Sequence, residues 1–277
     1  MATNAPRRRP ALLPDLERSR AVVVACDHDD VRPPEVQATA DAEKLAEALT
    51  RPEIGPPFLP EHLTLLTSWK HPDEIVDAVR RAAGEASDVL FLHYTGTGRR
   101  HDDVVFPRGA GDRGERPSPL LTAIGIVRDS RAARRVLSLD CEGHGTAWGW
   151  LDDHPGEDAS RTTGTLSLMG KGPTMYFGFG DGRIPAGDSY TLALDGALRS
   201  GVADGPELLD LTTLHDAIEA HWAQLRYDVE NEYIGAPPSL GLRDTAPVAL
   251  ATNISHGTGN GFPARPEVVG EQNHWWD

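Results

Sequence analysis

Four short apolar runs, separated by segments of helical periodicity, constrain the fold of this chain more than any other feature. The runs are residues 21–26, 63–67, 88–94 and 135–140, and the helical segments between them are 35–49, 73–86 and 120–131. A run that is apolar at nearly every position is typical of a strand buried on both faces. The alternation of such strands with helices predicts an α/β fold, in which helices cover both faces of a mostly parallel sheet.

The second half of the chain carries weaker signals of the same kind. Residues 174–179 and 247–251 are expected to form a fifth and a sixth strand, and segments 189–200 and 211–226 have helical spacing. Beyond residue 255 the sequence has no period, although Trp275 and Trp276 are suited to docking on a surface. We therefore predict one domain over residues 18–255, with a flexible arm at 1–17 and a flexible tail at 256–277.

The charge balance excludes some classes of partner. The chain of 277 residues has 27 basic and 42 acidic side chains, which gives a net charge of −15. Binding to a nucleic-acid backbone needs a positive field, so no nucleic-acid partner is expected. No apolar run is long enough to cross a bilayer, so no membrane partner is expected either. The composition leaves the oligomeric state open.

The cysteine and lysine contents bear on the cell compartment and the source. Cys26 and Cys141 are too few for a disulfide framework in a chain of this length, so we expect reduced thiols and a cytoplasmic location. Only Lys44, Lys70 and Lys171 are lysines among the 27 basic residues. This excess of arginine is typical of GC-rich bacterial genomes.

The chemistry of a parallel sheet is expected at the carboxyl ends of its strands. Two such ends carry polar and glycine-rich sequences, His-Tyr-Thr-Gly-Thr-Gly from residue 93 and Asp-Cys-Glu-Gly-His from residue 140. Glycine lets the backbone approach a ligand closely. These two segments are therefore the predicted functional site.

The two strand ends resemble motifs of the caspase-like cysteine peptidases, in particular the metacaspase-like bacterial branch of peptidase family C14. Residues 94–98 match the segment that bears the general-base histidine, and residues 140–143 match the segment that bears the nucleophilic cysteine. The resemblance covers roughly residues 18–253. It implies the caspase–hemoglobinase fold, a three-layer αβα sandwich with a mostly parallel six-stranded sheet.

Both positions of the implied catalytic dyad carry other residues. Thr97 occupies the histidine position and Glu142 the cysteine position. Threonine cannot hold a proton near neutral pH as histidine does, and a carboxylate is a poor nucleophile toward an amide. We therefore expect a catalytically degenerate domain, a pseudopeptidase with a binding, regulatory or adaptor role. The resemblance suggests a bacterial defence or signalling system as its setting.

An active peptidase with a remodelled dyad is the first alternative. Cys141 lies beside the nucleophile position, and His93 and His144 are the nearest histidines that could act as a base. Against this alternative, Cys141 is expected to pack inside the sheet, because successive strand residues point to opposite faces. A histidine within a strand, as His93 is, is more often a core or edge histidine than a catalyst.

The preferred hypothesis for the site is binding without cleavage. The resemblance implies that Asp140 lines a pocket for a basic side chain, and Glu142 would make that pocket more acidic. The backbone at Gly96, Gly98 and Gly143 would complete it. The expected partner is a protein or peptide with a basic segment.

No cofactor is predicted, although a metal-dependent hydrolase remains the second alternative. Asp140, Glu142 and His144 alternate along the chain and would share one face of an extended strand, where they could bind a divalent metal. Acidic segments at 27–30, 101–103 and 152–158 lack a recognisable calcium-binding spacing and are expected to be solvated loops.

Overall fold

A six-stranded sheet lies at the centre of the computed structural model, which describes residues 11–26, 38–67, 71, 73–96, 98–101, 104–107, 119–141, 174–178, 189–228, 239–242, 248–258 and 261. The strands across the sheet are β2 (Leu63–Leu66), β1 (Arg20–Cys26), β3 (Val89–Gly96), β6 (Arg134–Cys141), β7 (Thr174–Gly178) and β9 (Ser239–Leu242). All neighbouring pairs are parallel except β7 and β9. The predicted α/β class, with a mostly parallel sheet of six strands, is confirmed.

Helices and smaller strand pairs surround this sheet. The helices are α1 (Ala38–Thr50), α2 (Asp73–Glu85), α3 (Pro119–Asp129), α4 (Tyr190–Ser200) and α5 (Leu211–Asp228), with short 3₁₀ turns at Pro52–Ile54 and Pro60–His62. A hairpin joins β4 (Gly98–His101) to β5 (Val104–Pro107), and β8 (Leu208–Asp210) pairs with β10 (Ala249–Thr252). Among the helices in the described ranges, none has the length and apolar character needed to cross a membrane.

The sheet separates two apolar cores, because alternate residues of each strand face opposite sides. Ala21, Val23 and Ala25 of β1 pack with α1, α4 and α5, whereas Val22 and Val24 pack with α2 and α3. Helix α2 illustrates why the helices form where they do. Its buried residues recur at the spacing of one helical face and are Ile75, Ala78, Val79, Ala82 and Ala83. Helices therefore cover both faces of the sheet, as the apolar runs predict.

The strand predicted at 247–251 forms, but it does not belong to the central sheet. Residues 249–252, which overlap that segment, form β10 and pair antiparallel with β8. The sixth place is taken by β9, a four-residue strand that contains Gly241 and carries no strong apolar signal. Pairing with β7, rather than the hydropathy of the segment itself, makes these residues a strand.

Residues 12 and 13 of the amino-terminal segment are hydrogen-bonded at the edge of the sheet where β3 and β6 begin. Leu12 forms a bridge with Val248, and the Arg134 guanidinium donates to the carbonyl oxygens of Leu12 and Leu13. Arg134 also forms a two-pronged ion pair with Asp88. The position at which the predicted arm gives way to the domain stays a prediction.

Candidate functional site

The carboxyl ends of β3 and β6 lie side by side. Thr95 pairs with Asp140 and Gly96 pairs with Cys141, so the two sequence motifs meet at one edge of the sheet. Gly96 has a φ of 148°, a backbone conformation that favours glycine. On its other side Gly96 pairs with Cys26, the last residue of β1.

Several predicted site residues lie outside the described part of the chain. They are Thr97, Glu142, Gly143 and His144, together with the acidic segments 27–30 and 152–158 and residues 102 and 103. Gly98 and Cys141 are described as members of β4 and β6. The roles proposed for all these residues stay predictions. Of the predicted set, the structure shows the side-chain contacts of His93 and Asp140 and the backbone conformation of Gly96.

His93 is enclosed in the core between the sheet and helix α4. Its Nδ1 lies 2.7 Å from Ser138 Oγ on β6, and its Nε2 lies 3.0 Å from Thr191 Oγ1 on α4. The ring stacks on Phe91, with the planes 6° apart. Burial lowers the pKa of His93 from 6.5 to about 3, because the charged imidazolium would lose its hydration. The ring is therefore neutral near pH 7.

The Asp140 carboxylate accepts a cluster of hydrogen bonds at the same place. Thr191 donates to Oδ2 from its backbone nitrogen at 3.0 Å and from its hydroxyl at 2.6 Å, and Thr95 donates its hydroxyl at 3.3 Å. Asp140 is only 5% exposed. Its carboxylate thus binds the first turn of α4, where the backbone N–H groups favour negative charge.

The hydrogen bonds together assign the proton positions around His93. The Thr191 hydroxyl donates to the Asp140 carboxylate, so it accepts from His93 at Nε2. Nδ1 then accepts from the Ser138 hydroxyl. A chain of hydrogen bonds, which we call the α4 relay, runs from Ser138 through His93 and Thr191 to Asp140.

A second buried carboxylate holds the start of α4. Ser189 caps the helix by accepting from Leu192 N, and its hydroxyl donates to Asp41 Oδ2 on α1 at 2.8 Å. The next residue, Tyr190, is buried, and this burial together with the charge of Asp140 raises the pKa of its phenol, against a smaller opposing effect of Ser138. Helix α4 is therefore tied by polar contacts both to the sheet edge and to α1.

The α4 relay contains the residue types of a hydrolytic triad, but its side chains are inaccessible to a substrate. Ser138, His93 and Thr191 have no exposed surface. A nucleophile and its base must reach the reacting carbonyl, so burial excludes this set from direct catalysis. The relay instead specifies how α4 docks on the sheet, since each buried polar group has its partner in that one position.

Sequence reasoning missed Ser138, Thr191, Ser189 and Asp41. A signal for the first of these was present, because polar residues alternate along two runs that are otherwise apolar, at 93 and 95 and at 138 and 140. Residues two apart share a face of a strand, and the register then brings the two polar pairs together. The partners on α1 and α4 are distant in sequence and carry no such signal.

Removing the central hydroxyl of the relay should weaken the fold. Thr191→Val deprives His93 Nε2 and Asp140 of a partner at nearly constant volume, and we expect a loss of about 1–3 kcal/mol in the free energy of unfolding. Thr191→Ser retains the hydroxyl and should lose clearly less. Urea denaturation of both variants measures the difference. Equal losses would mean that the methyl packing, and not the hydroxyl, stabilises this contact.

One other group of side chains in the described residues has the composition of a metal site. His215, Asp216 and Glu219 on α5 each offer a ligand atom within 4.8 Å of the others. They lie on α5 and not on the strands that carry the predicted site. Of the metal set predicted from the sequence, only Asp140 is described, and it is occupied by the donors of Thr191 and Thr95.

Comparison with known proteins finds a likeness in structure but none in sequence. The chain matches no known protein-family model, and no similar sequence was found among curated proteins. Among solved structures, it is similar to the crystal structure of caspase-1 from Spodoptera frugiperda, with a TM-score of 0.48 and 14% sequence identity. The match covers 91% of this chain and 98% of the caspase chain.

Proposed function

We propose that this chain is a caspase-like domain without peptidase activity that binds a protein or peptide partner at the carboxyl edge of β3 and β6. The state of His93 carries the proposal. His93 lies four residues before the predicted base position, and it is enclosed with both ring nitrogens hydrogen-bonded. A base must be reachable and must accept a proton near the working pH. His93 meets neither requirement.

The sequence supports the same proposal independently. By the family resemblance, Thr97 and Glu142 stand where active relatives carry histidine and cysteine. Loss of one member of such a unit removes most of the catalysis, by a factor on the order of 10⁶ in a well-studied protease. A chain with both positions changed and with His93 buried lacks the ordinary means of activating a thiol.

The partner that we propose for this edge carries a basic segment. Asp140 brings a negative charge to the edge, and its hydrogen bonds hold that carboxylate in place. Glu142 follows two residues later and would make the direct contact with an arginine side chain. The resemblance further suggests a regulatory or adaptor role in a bacterial defence or signalling system, with no cofactor.

Peptide cleavage tests whether activity is absent. The purified protein, with and without calcium, is incubated with a mixed peptide library beside Cys141→Ala and a Thr97→His/Glu142→Cys double variant. We expect no turnover by the natural protein and measurable turnover by the double variant. Turnover by the natural protein that disappears in Cys141→Ala would contradict the proposal, and chelator-sensitive turnover would favour a metal-dependent hydrolase instead.

Peptide binding tests the function that is proposed in place of cleavage. Arginine-containing peptides that bind the natural protein should bind Glu142→Gln about tenfold more weakly, because one charged contact is removed. Asp216→Asn removes the same charge from α5, a different element of the fold, and is the matched control. An equal loss in both variants would indicate general attraction to an acidic surface and would contradict a site at this edge.

A further inference from the structure

A groove of about 640 Å³ runs between α2 and α3 on the outer side of the molecule. Arg80, Ala83 and Gly84 of α2 form one wall. The other wall consists of Thr122, Gly125, Ile126 and Asp129 of α3, followed by Ser130 and Arg131. The groove lies on the α2 and α3 side of the sheet, whereas His93 and the rest of the α4 relay pack against α4 on the opposite side. It is therefore separate from the site proposed above.

Two of the residues that line the groove have no side chain, Gly84 and Gly125. A Cβ added at Gly84 would meet no atom within 4 Å among the described residues. Gly125 lines the groove from α3, and Ala83 and Ile126 supply apolar surface to it. A groove with small residues along its length lets a peptide backbone approach both helices closely.

The charges on the walls are those of an anion-binding surface. Arg131 is exposed, and its guanidinium has no hydrogen bond or ion pair within the described ranges. Among the described residues, the Arg80 guanidinium has one ion pair, with the exposed Asp77 one turn earlier on its own helix. Arginine is suited to planar, two-pronged binding of carboxylates.

The one acidic side chain of the groove is already neutralised. Asp129 receives two hydrogen bonds from Arg128, at 2.6 and 3.1 Å, and the charge of Arg135 also acts on it. The charged residues that line the groove are thus Arg80 and Arg131 against Asp129, a positive excess in a chain whose net charge is −15. Such an excess favours negatively charged ligands over the rest of the surface.

We infer that the groove between α2 and α3 binds an acidic peptide segment of a partner protein, with Arg131 and Arg80 pairing its carboxylates and Gly84 and Gly125 admitting its backbone. An extended or helical segment lying along two helices fits the shape of the groove. The charges and the small residues of the walls both favour this occupant.

A glutamate introduced at Gly84 blocks the groove without disturbing the fold. The new side chain enters open space, and glutamate has a better helix propensity than glycine. A random dodecapeptide library is therefore selected on the full-length protein and counter-selected on Gly84→Glu. We expect the retained peptides to be enriched in aspartate and glutamate. Retained peptides without an acidic bias would overturn the inference.

Affinities of a retained peptide locate the contact. Arg131→Glu and Gly84→Glu should each weaken binding at least about tenfold, whereas Gly84→Ala should leave the affinity within about twofold. Arg81→Glu is the matched charge control, because Arg81 is an exposed arginine of α2 that does not line the groove. A loss in Arg81→Glu equal to that in Arg131→Glu would overturn the inference.

Two competing occupants are tested in parallel. If inorganic phosphate, added at the same concentration as the peptide, displaced the peptide, the groove would be assigned to a small anion and the inference would be overturned. Sedimentation velocity of the natural protein and Gly84→Glu addresses a second copy of the chain. A dimer that only Gly84→Glu dissociates would likewise overturn it, and monomers in both cases support a peptide of another protein.

Discussion

The free energy of unfolding should fall by about 1.4 kcal/mol for each pH unit as the solution is acidified below pH 6.5, through His93 alone. In the unfolded chain this histidine titrates with its ordinary pKa of 6.5, whereas burial lowers its pKa in the folded protein to about 3. Between these values the unfolded state binds one more proton. The contribution of the neutral, buried His93 to the free energy of unfolding is therefore complete above pH 6.5 and is lost as the pH falls toward 3.

Comparison with a variant isolates this contribution from that of the carboxylates. His93→Gln replaces the imidazole with an uncharged polar side chain, so its stability should decline less steeply over the same interval. His71→Gln removes an exposed histidine, paired with Asp73 at the surface, and serves as the control for the substitution itself. Urea denaturation at successive pH values measures all three slopes. If His93→Gln retained the slope of the natural protein, His93 would not be the buried neutral group described above.

Arg134→Ala is expected to lower the free energy of unfolding by about 3–5 kcal/mol. Arg134 is 8% exposed and bonds Asp88 at 3.0 and 2.6 Å, and it also donates to the carbonyl oxygens of Leu12 and Leu13. Its removal leaves a half-buried carboxylate without its cation and leaves the two carbonyls without their donor. Both effects destabilise the folded state because the freed groups are poorly hydrated.

The acid sensitivity of Asp88 supplies a second readout. Burial by itself raises the pKa of Asp88, but hydrogen bonds from Arg134 and from Asp15 N outweigh it and hold the pKa below its ordinary 3.8. A carboxyl with a lowered pKa stabilises the protein above pH 3.8, and this contribution is lost as the pH falls further. Arg134→Ala should remove most of it.

Two control variants separate the ion pair from general loss of charge. Arg51→Ala breaks the exposed pair with Glu53 and should cost about 0–1 kcal/mol. Arg134→Lys retains the charge but not the two-pronged geometry, so its loss should lie between the other two. Equal losses in Arg134→Ala and Arg51→Ala, measured by urea denaturation, would contradict the importance of the buried pair.

Local sequence patterns were sufficient for most of the sheet. The apolar runs at 21–26, 88–94 and 135–140 lie within β1, β3 and β6 or within one residue of them, because strands buried on both faces need apolar residues at nearly every position. The amphipathic spacing of segment 73–86 likewise matches α2. The four residues of β9 had no comparable signal, since their strand conformation depends on pairing with β7.

The site was predicted only in outline. The order of the motifs placed Gly96 and Cys141 at one edge, and the parallel register of β3 and β6 brings them together there. The sequence left His93 as either a base or a core residue and assigned Asp140 to a ligand pocket by resemblance. In the structure both are buried: His93 is hydrogen-bonded to Ser138 and Thr191, and Asp140 accepts from Thr191.

The sequence by itself determined the alternation of strands and helices, the two-sided burial of the sheet and the absence of histidine and cysteine at the positions that the family resemblance marks. These properties depend on neighbours within a few residues, or on residue identity alone. Only the tertiary structure decided the state of His93 and Asp140. Their solvation and hydrogen bonds depend on Thr191, which lies 98 and 51 residues away in the chain and reaches them only when α4 packs on the sheet.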